Sequence, residues 1–206
     1  MKRLFVLLAL STFIVSCSKN TPAVLMFVRD GSPDLEFMLK KEVSVIKDTL
    51  ERSGIRVVVA TSDGSSFSAG SVKIKADMKL ADVKVADYSG FILPCMAAGN
   101  FYVSSNVSSE PVALVKSAIS AGKPVAAQTG SVSVLAEAGV LKGKKYAEPL
   151  EVKMPSFAGA VYAGTGVVRD GLVLTSGICP YMARQLKTSD GTEQLTLALI
   201  DAIKGK

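Results

Sequence analysis

The chain has 206 residues, a formal net charge of +6, 49% hydrophobic residues, three cysteines and no histidine. The missing histidine excludes Ser-His-Asp triads, Cys-His dyads and histidine-ligated zinc or haem sites, and three cysteines are too few for a four-thiolate zinc site. The apolar content argues against disorder, and basic residues are interspersed with acidic ones rather than clustered. We therefore expect a folded protein with no metal, no cofactor and no nucleic-acid partner.

The N-terminus has the pattern of an export signal. A basic head at 1–3 precedes an apolar run at 4–15, which is short for a membrane-spanning helix and typical of a signal peptide. The segment Ile14-Val15-Ser16-Cys17 resembles a bacterial lipobox, which implies that residues 1–16 are removed and that Cys17 carries acyl chains such as palmitate. The alternative is a plain secreted protein with an incidental cysteine. We expect a lipid-anchored protein on the exported side of the membrane, either periplasmic or an outer-membrane lipoprotein, with residues 17–22 as a tether.

Apolar runs of strand length alternate with amphipathic segments of helix length from residue 23 onward. In chain order the predicted elements are a strand at 23–28, a helix at 35–53, a strand at 55–60, a half-exposed strand or hairpin at 72–80, a strand at 91–93, a helix at 111–121, a strand at 125–127, a helix at 132–138, a hairpin at 161–175 and a helix at 190–203. This alternation predicts one α/β domain over 23–206 with helices on both faces of a parallel sheet. Ligands of such sheets bind at the carboxyl ends of the strands.

A carboxylate interrupts the apolar stripe of the first predicted helix. Glu42 falls at helical spacing between apolar residues such as Leu39 and Ile46, where a charged group is costly unless it is paired or protonated. The alternative is a slightly rotated helix, with Glu42 at the boundary near Lys40 and Lys41.

Three segments together resemble the ThiJ/PfpI family, part of the class I glutamine-amidotransferase-like superfamily. They are Asp87-Tyr88-Ser89-Gly90-Phe91-Ile92-Leu93-Pro94, the strand-turn-helix unit over 122–144, and Asp170-Gly171-Leu172-Val173-Leu174-Thr175-Ser176. The resemblance implies a flavodoxin-like three-layer sandwich with a mainly parallel sheet, and it favours a homodimer. It also implies that Glu42 corresponds to the family's glutamate, which hydrogen-bonds a reactive cysteine.

The chain departs from the family pattern at the reactive position itself. Thr129 stands where the family has its cysteine, and Gly130 stands where histidine often follows. A threonine hydroxyl is a weak nucleophile that needs a base, and Glu42 is the nearby candidate. The family's sharp turn demands strained backbone angles that a β-branched residue resists. We therefore expect the turn to be relaxed here, or its strain to be carried by Gly130.

Other candidate site residues lie at the same end of the predicted sheet. Cys95 and Met96 replace the family's Gly-Gly pair, and Cys179 with Pro180 follows the last strand. The two cysteines can be a displaced nucleophile, a disulfide in an oxidising compartment, or inert thiols on a pocket wall. The segment Gln128-Thr129-Gly130-Ser131 opens a helix, whose free amides suit a small anionic ligand unless they are simply capped.

These residues support three functional hypotheses. The first is a membrane-anchored ThiJ/PfpI-like domain without the family's cysteine catalysis, acting as a small-anion binding, sensing or scaffold module. The second is an enzyme of altered mechanism, a hydrolase or lyase on small carbonyl compounds, that uses Glu42 with Thr129 or with Cys95 and Cys179. The third is a stress-related chaperone role, which the family resemblance alone suggests.

Overall fold

The computed structural model describes residues 21–29, 34–98 and 107–205. The strands are β1 (Ala23–Phe27), β2 (Arg56–Thr61), β3 (Phe67–Ala69), β4 (Val72–Ile74), β5 (Met78–Lys79), β6 (Gly90–Leu93), β7 (Val125–Gln128), β8 (Lys145–Tyr146), β9 (Val161–Tyr162), β10 (Val167–Asp170) and β11 (Val173–Ser176). The α-helices are α1 (Leu35–Met38), α2 (Ser44–Arg52), α3 (Ser109–Ser120), α4 (Val132–Glu137), α5 (Pro180–Leu186) and α6 (Thr192–Ile203).

The central sheet confirms the predicted α/β class. Its seven strands run in the order β10-β11-β7-β6-β1-β2-β5, and every neighbouring pair is parallel except β10 with β11. The strand with the most continuous apolar sequence, β1, lies near the centre, where burial on both faces requires such a run. The hairpin predicted within 161–175 is formed by β10 and β11. The segment 72–80 does not form a hairpin by itself: β4 pairs with the preceding β3, and β5 joins the central sheet beside β2. Strands β8 and β9 form a separate parallel pair.

The core is divided by the sheet into two apolar layers. Alternate residues of β1 point to opposite faces, so that Leu25 belongs to one layer and Met26 to the other. Helices α3 and α4 cover the first layer, and α2 and α6 cover the second. Within the described parts of the chain, no helix has both the length and the apolar character needed to cross a membrane.

The first predicted helix is interrupted by a wider turn at the candidate glutamate. Helices α1 and α2 are joined by a π-helical turn over Leu39–Val43, which contains Glu42. Single π-turns inside α-helices are rare and occur frequently at functional sites. The Glu42 side chain is fully buried, so the boundary position near Lys40 and Lys41 is not the one adopted.

Candidate functional site

The predicted site residues meet at the carboxyl ends of the parallel strands. Cys95 begins a short 3₁₀ turn after β6, Thr129 begins another after β7, and Cys179 follows β11. Register pairs Leu93 with Ala127 and Gln128 with Ser176, so these strands end side by side. The structure therefore brings together segments that lie more than 80 residues apart in the sequence.

Glu42 reaches this strand end from the π-helical turn. Its Oε1 accepts a hydrogen bond from the Cys95 amide at 2.8 Å, while its Oε2 has no hydrogen-bond partner among the described residues. Burial raises the pKa of the Glu42 carboxyl well above its ordinary value, and the nearby Cys179 raises it further. Burial therefore favours the protonated form of the Glu42 carboxyl, one oxygen of which accepts from the Cys95 amide.

The expectation of a relaxed turn at Thr129 is wrong. Thr129 has a φ of 43°, in the left-handed region, whereas Gly130 does not have a positive φ. For a β-branched residue this conformation costs on the order of 1–3 kcal/mol and persists only when the surroundings impose it. The turn is held by two side chains that follow it: the Ser131 hydroxyl donates to the Pro94 carbonyl, and the Ser133 hydroxyl donates to the Gly130 carbonyl. The backbone strain of this turn is therefore carried by Thr129 itself.

The absence of a side chain at Gly130 is explained by Cys95. A Cβ atom at Gly130 would lie 3.2 Å from the Cys95 carbonyl oxygen and 3.6 Å from its sulfur. A larger residue at this position would therefore press against Cys95.

Three further predicted binding residues have structural contacts. Ser131 is buried and bonded to the β6 loop, and Met96 is buried in the same apolar layer as Cys179. Gln128 is also buried; its Nε2 donates to the Ile178 carbonyl at 2.9 Å and to the Thr192 hydroxyl at 3.0 Å. Gln128 therefore anchors the segment that immediately precedes Cys179.

Cys179 lies at the start of α5, a helix that the sequence analysis missed. Pro180 occupies the first turn of this helix, a position where its missing amide hydrogen costs nothing. The pKa of the Cys179 thiol is lowered to about 7, chiefly by a hydrogen bond from the Cys95 side chain. Hydrogen bonds from the Met182 amide, the Thr129 hydroxyl and the Tyr181 amide lower it further. Cys179 is fully buried, and a substantial part of it is a thiolate at neutral pH.

Cys95 provides the second thiol of the site. It is partly exposed, and neither cysteine is in a disulfide. The hydrogen bond with Cys179 and burial of the thiol group raise the pKa of Cys95 well above its ordinary value. The hydrogen bond between the two thiols thus lowers the pKa of Cys179 and raises the pKa of Cys95.

Glu148 is a site residue that sequence reasoning missed. It is 6% exposed, and burial followed by the charge of Cys179 raises the pKa of its carboxyl to about 9. The backbone of Glu148 packs against Gly177, where a Cβ atom would lie 2.7 Å from the Glu148 carbonyl carbon. The nearby Ala147 amide donates to the Thr175 hydroxyl at 2.9 Å, which fixes this loop beside β11.

The resulting site consists of two thiols, Cys179 and Cys95, and two buried carboxyls, Glu42 and Glu148, whose pKa values are raised. Over the described ranges, no group of three or more Cys, Asp or Glu side chains is arranged to hold a metal ion. The hydroxyl of Thr129 has no nitrogen or oxygen partner among the described residues, and it lies beside the Cys179 sulfur. Such a set of groups can carry out thiol chemistry in which carboxylic acids supply protons.

Comparisons with known proteins agree with this architecture. A model of the DJ-1/PfpI family matches residues 22–186. An uncharacterized protein of Methanocaldococcus jannaschii is 35% identical over 61% of this chain, and the match spans 62% of that protein's length. An uncharacterized protein of Archaeoglobus fulgidus is 30% identical to this chain, and the matched part covers 66% of this chain and 83% of that protein. The crystal structure of Drosophila melanogaster DJ-1beta has a TM-score of 0.64 and 27% identity, covering 91% of this chain and 92% of the other.

Proposed function

Because this chain belongs to the DJ-1/PfpI family and places two thiols at the end of its sheet, we propose that it is a lipid-anchored sensing domain of the bacterial envelope. Its responsive group is the thiol of Cys179, which takes the part of the cysteine that Thr129 replaces. The observation that carries this proposal is the position of two cysteines, neither in a disulfide, at the carboxyl ends of the strands, where the Cys95 side chain lowers the pKa of the Cys179 thiol.

Thiol sensing fits the site better than the binding of a small anion. The Cys95 amide, which would be one of the anion donors, is already hydrogen-bonded to Glu42. The Cys179 thiolate contributes a negative charge to the same space, so a second anion would be repelled. The retained turn at Thr129 offers a hydroxyl that supports the thiolate and is itself a weak nucleophile.

The proposal is tested by mapping which residue reacts with a small thiol reagent. We expect methyl methanethiosulfonate at pH 7 to modify Cys179 first in the full chain held in detergent, because the thiolate is the nucleophile. Peptide mass spectrometry separates this event from reaction at Cys95 or Cys17. Thr129→Ala is the matched control, because Cys179 should still be modified in this variant. If Cys95 reacts while Cys179 stays unmodified, the proposal is wrong.

Anchoring is supported by the lipobox-like segment that ends at Cys17, which lies outside the described residues. The tether leads directly into β1 at its amino end, while Cys95 and Cys179 lie at the carboxyl ends of the strands. A short tether would therefore hold the amino edge of the sheet close to the bilayer and leave the thiol site facing away from it.

The anchor is tested with Cys17→Ser expressed in a bacterium that processes lipoproteins. We expect the wild-type chain to incorporate labelled palmitate and to fractionate with membranes, and the variant to incorporate none. Cys179→Ser serves as the control, because it removes a thiol without touching the lipobox. Equal palmitate incorporation in Cys17→Ser and wild type would show that Cys17 is not the lipidated residue.

A further inference from the structure

We propose that a cavity at the amino edge of the central sheet binds the phosphate-ester headgroup of an anionic lipid. The cavity has a volume of about 630 Å³ and lies where the strands begin, at the opposite edge from Cys95 and Cys179. For the source of its ligand this inference rests on the proposed lipid anchor, and it is independent of the reactivity of Cys179.

The starts of four neighbouring strands form the rim of this cavity. Pro22 precedes β1, Arg56 is the first residue of β2, Ser89 precedes β6, and Lys123 lies two residues before β7. The Arg56 amide donates to the Pro22 carbonyl at 2.9 Å, and the Ser89 amide donates to the Ala23 carbonyl at 2.7 Å. The rim is therefore held in place by backbone hydrogen bonds of the sheet.

Two cationic side chains of the rim are available to an anion. Arg56 and Lys123 both line the cavity, and the salt bridges formed among the described residues include neither of them. In the strand order β7-β6-β1-β2 they stand three strand spacings apart, about 14 Å. Guanidinium and ammonium groups are the usual phosphate-binding side chains of proteins. A phosphate that enters the cavity would therefore be approached by a cation from each end.

The other polar groups fit the rest of a phosphoglycerol headgroup. Asp87 also lines the cavity, so its carboxylate and the two cations together carry a net charge of about +1, which complements one phosphodiester. Glycerol hydroxyls can donate to this carboxylate and can exchange hydrogen bonds with the hydroxyls of Thr21 and Ser89. The cavity volume lies within the range of small-molecule sites, about 300–1,000 Å³, and exceeds what a lone phosphate ion fills.

The tether places a bilayer next to this cavity. Thr21 and Pro22 line the cavity, and Thr21 follows Cys17 by only four residues. Four fully extended residues span at most about 14 Å, so an acylated Cys17 would keep the cavity close to the lipid headgroups. Such tethering raises the effective concentration of headgroups at the cavity, which allows a weak site to be occupied.

The test measures the melting temperature of the full chain in micelles of a nonionic detergent mixed with lipid. We expect dioleoyl phosphatidylglycerol to raise the melting temperature by about 3 °C or more relative to the same mole fraction of dioleoyl phosphatidylcholine, because a ligand of the folded state stabilises it. Free glycerol 3-phosphate at the same total concentration should leave the melting temperature unchanged, because it is not concentrated beside the cavity.

Two kinds of variant test the assignment to this cavity. The double variant Arg56→Gln with Lys123→Gln should lose the difference between the two lipids. Lys41→Gln with Lys187→Gln is the matched control, since it removes the same charge from exposed lysines of the π-helical turn and of the end of α5, and it should keep the difference. Ala86→Phe keeps every charge but adds a ring to the cavity lining, and it should reduce the difference.

Three results would overturn the inference. They are an equal melting temperature of the wild type in the two lipids, an equal loss of the difference in both double variants, and equal stabilisation by free glycerol 3-phosphate. The second would indicate general attraction to an anionic surface, and the third a soluble ligand. Failure of the proposed anchor is seen separately, as palmitate incorporation that is equal in Cys17→Ser and wild type.

Discussion

Replacing Glu148 with glutamine is expected to remove a large part of the pH dependence of folding stability. In the folded protein the pKa of Glu148 is about 9, against an ordinary value of 4.5, so the folded state holds a proton that the unfolded state releases. A group with a raised folded pKa contributes stability that is fully present below about pH 4.5 and is lost as the pH rises towards about 9. Between pH 5 and 7 this loss is on the order of 1–3 kcal/mol for one such carboxyl.

The measurement is urea unfolding at pH 5, 6 and 7, where the thiols contribute least. The free energy of unfolding of the wild type should decrease as the pH rises from 5 to 7. The free energy of unfolding of Glu148→Gln should decrease less steeply, because glutamine has a similar shape but does not ionise. Glu137→Gln, which changes an exposed glutamate of α4, is the matched control and should keep the wild-type slope. A Glu148→Gln slope equal to that of wild type would show that this carboxyl is not held neutral in the folded state.

The second large effect is expected at Glu42. Glu42→Ala removes the acceptor of the Cys95 amide and leaves a cavity in a fully buried position, which together should destabilise the fold by roughly 2–5 kcal/mol. Glu42→Gln keeps a carbonyl oxygen for the amide and the same volume. We expect it to cost no more than about 1 kcal/mol near pH 5, because the raised pKa of Glu42 favours the neutral carboxyl that glutamine resembles.

Glu42→Leu separates the effect of the lost hydrogen bond from the effect of the cavity. It restores most of the volume but offers no acceptor, so its free energy of unfolding should fall between those of the glutamine and alanine variants. Thermal or urea unfolding at pH 5 gives this order directly. If Glu42→Leu is as stable as Glu42→Gln, the hydrogen bond to Cys95 contributes nothing measurable.

Much of the site was accessible from the sequence because it depends on regular elements. The helical spacing around Glu42 left it either in the buried stripe or at the boundary, and the structure has it buried. The rule that parallel strands end together predicted that Cys95, Thr129 and Cys179 share one edge. Both predictions need only periodicity and strand order. The segments that resemble the ThiJ/PfpI family identified the same edge independently, and the match to the DJ-1/PfpI family confirms that resemblance.

The features that were missed depend on contacts between distant segments. Thr129 keeps a positive φ because Ser131 and Pro94 hold the turn, and local propensity alone predicts the opposite. Glu148 reaches the site because Gly177 allows two backbones to touch, and nothing in its own neighbourhood signals this. The π-helical turn and α5 likewise have no clear signal in the spacing of apolar residues.

The central claim is that Cys179 is a thiolate near neutral pH, and the pH dependence of its modification tests this most directly. The rate of reaction of Cys179 with methyl methanethiosulfonate, measured by peptide mass spectrometry from pH 5 to 10, should rise with a midpoint near pH 7. In Cys95→Ala the midpoint should move upward, because alanine removes the side chain that donates to Cys179. A wild-type midpoint at or above pH 9, unchanged in Cys95→Ala, would contradict the account.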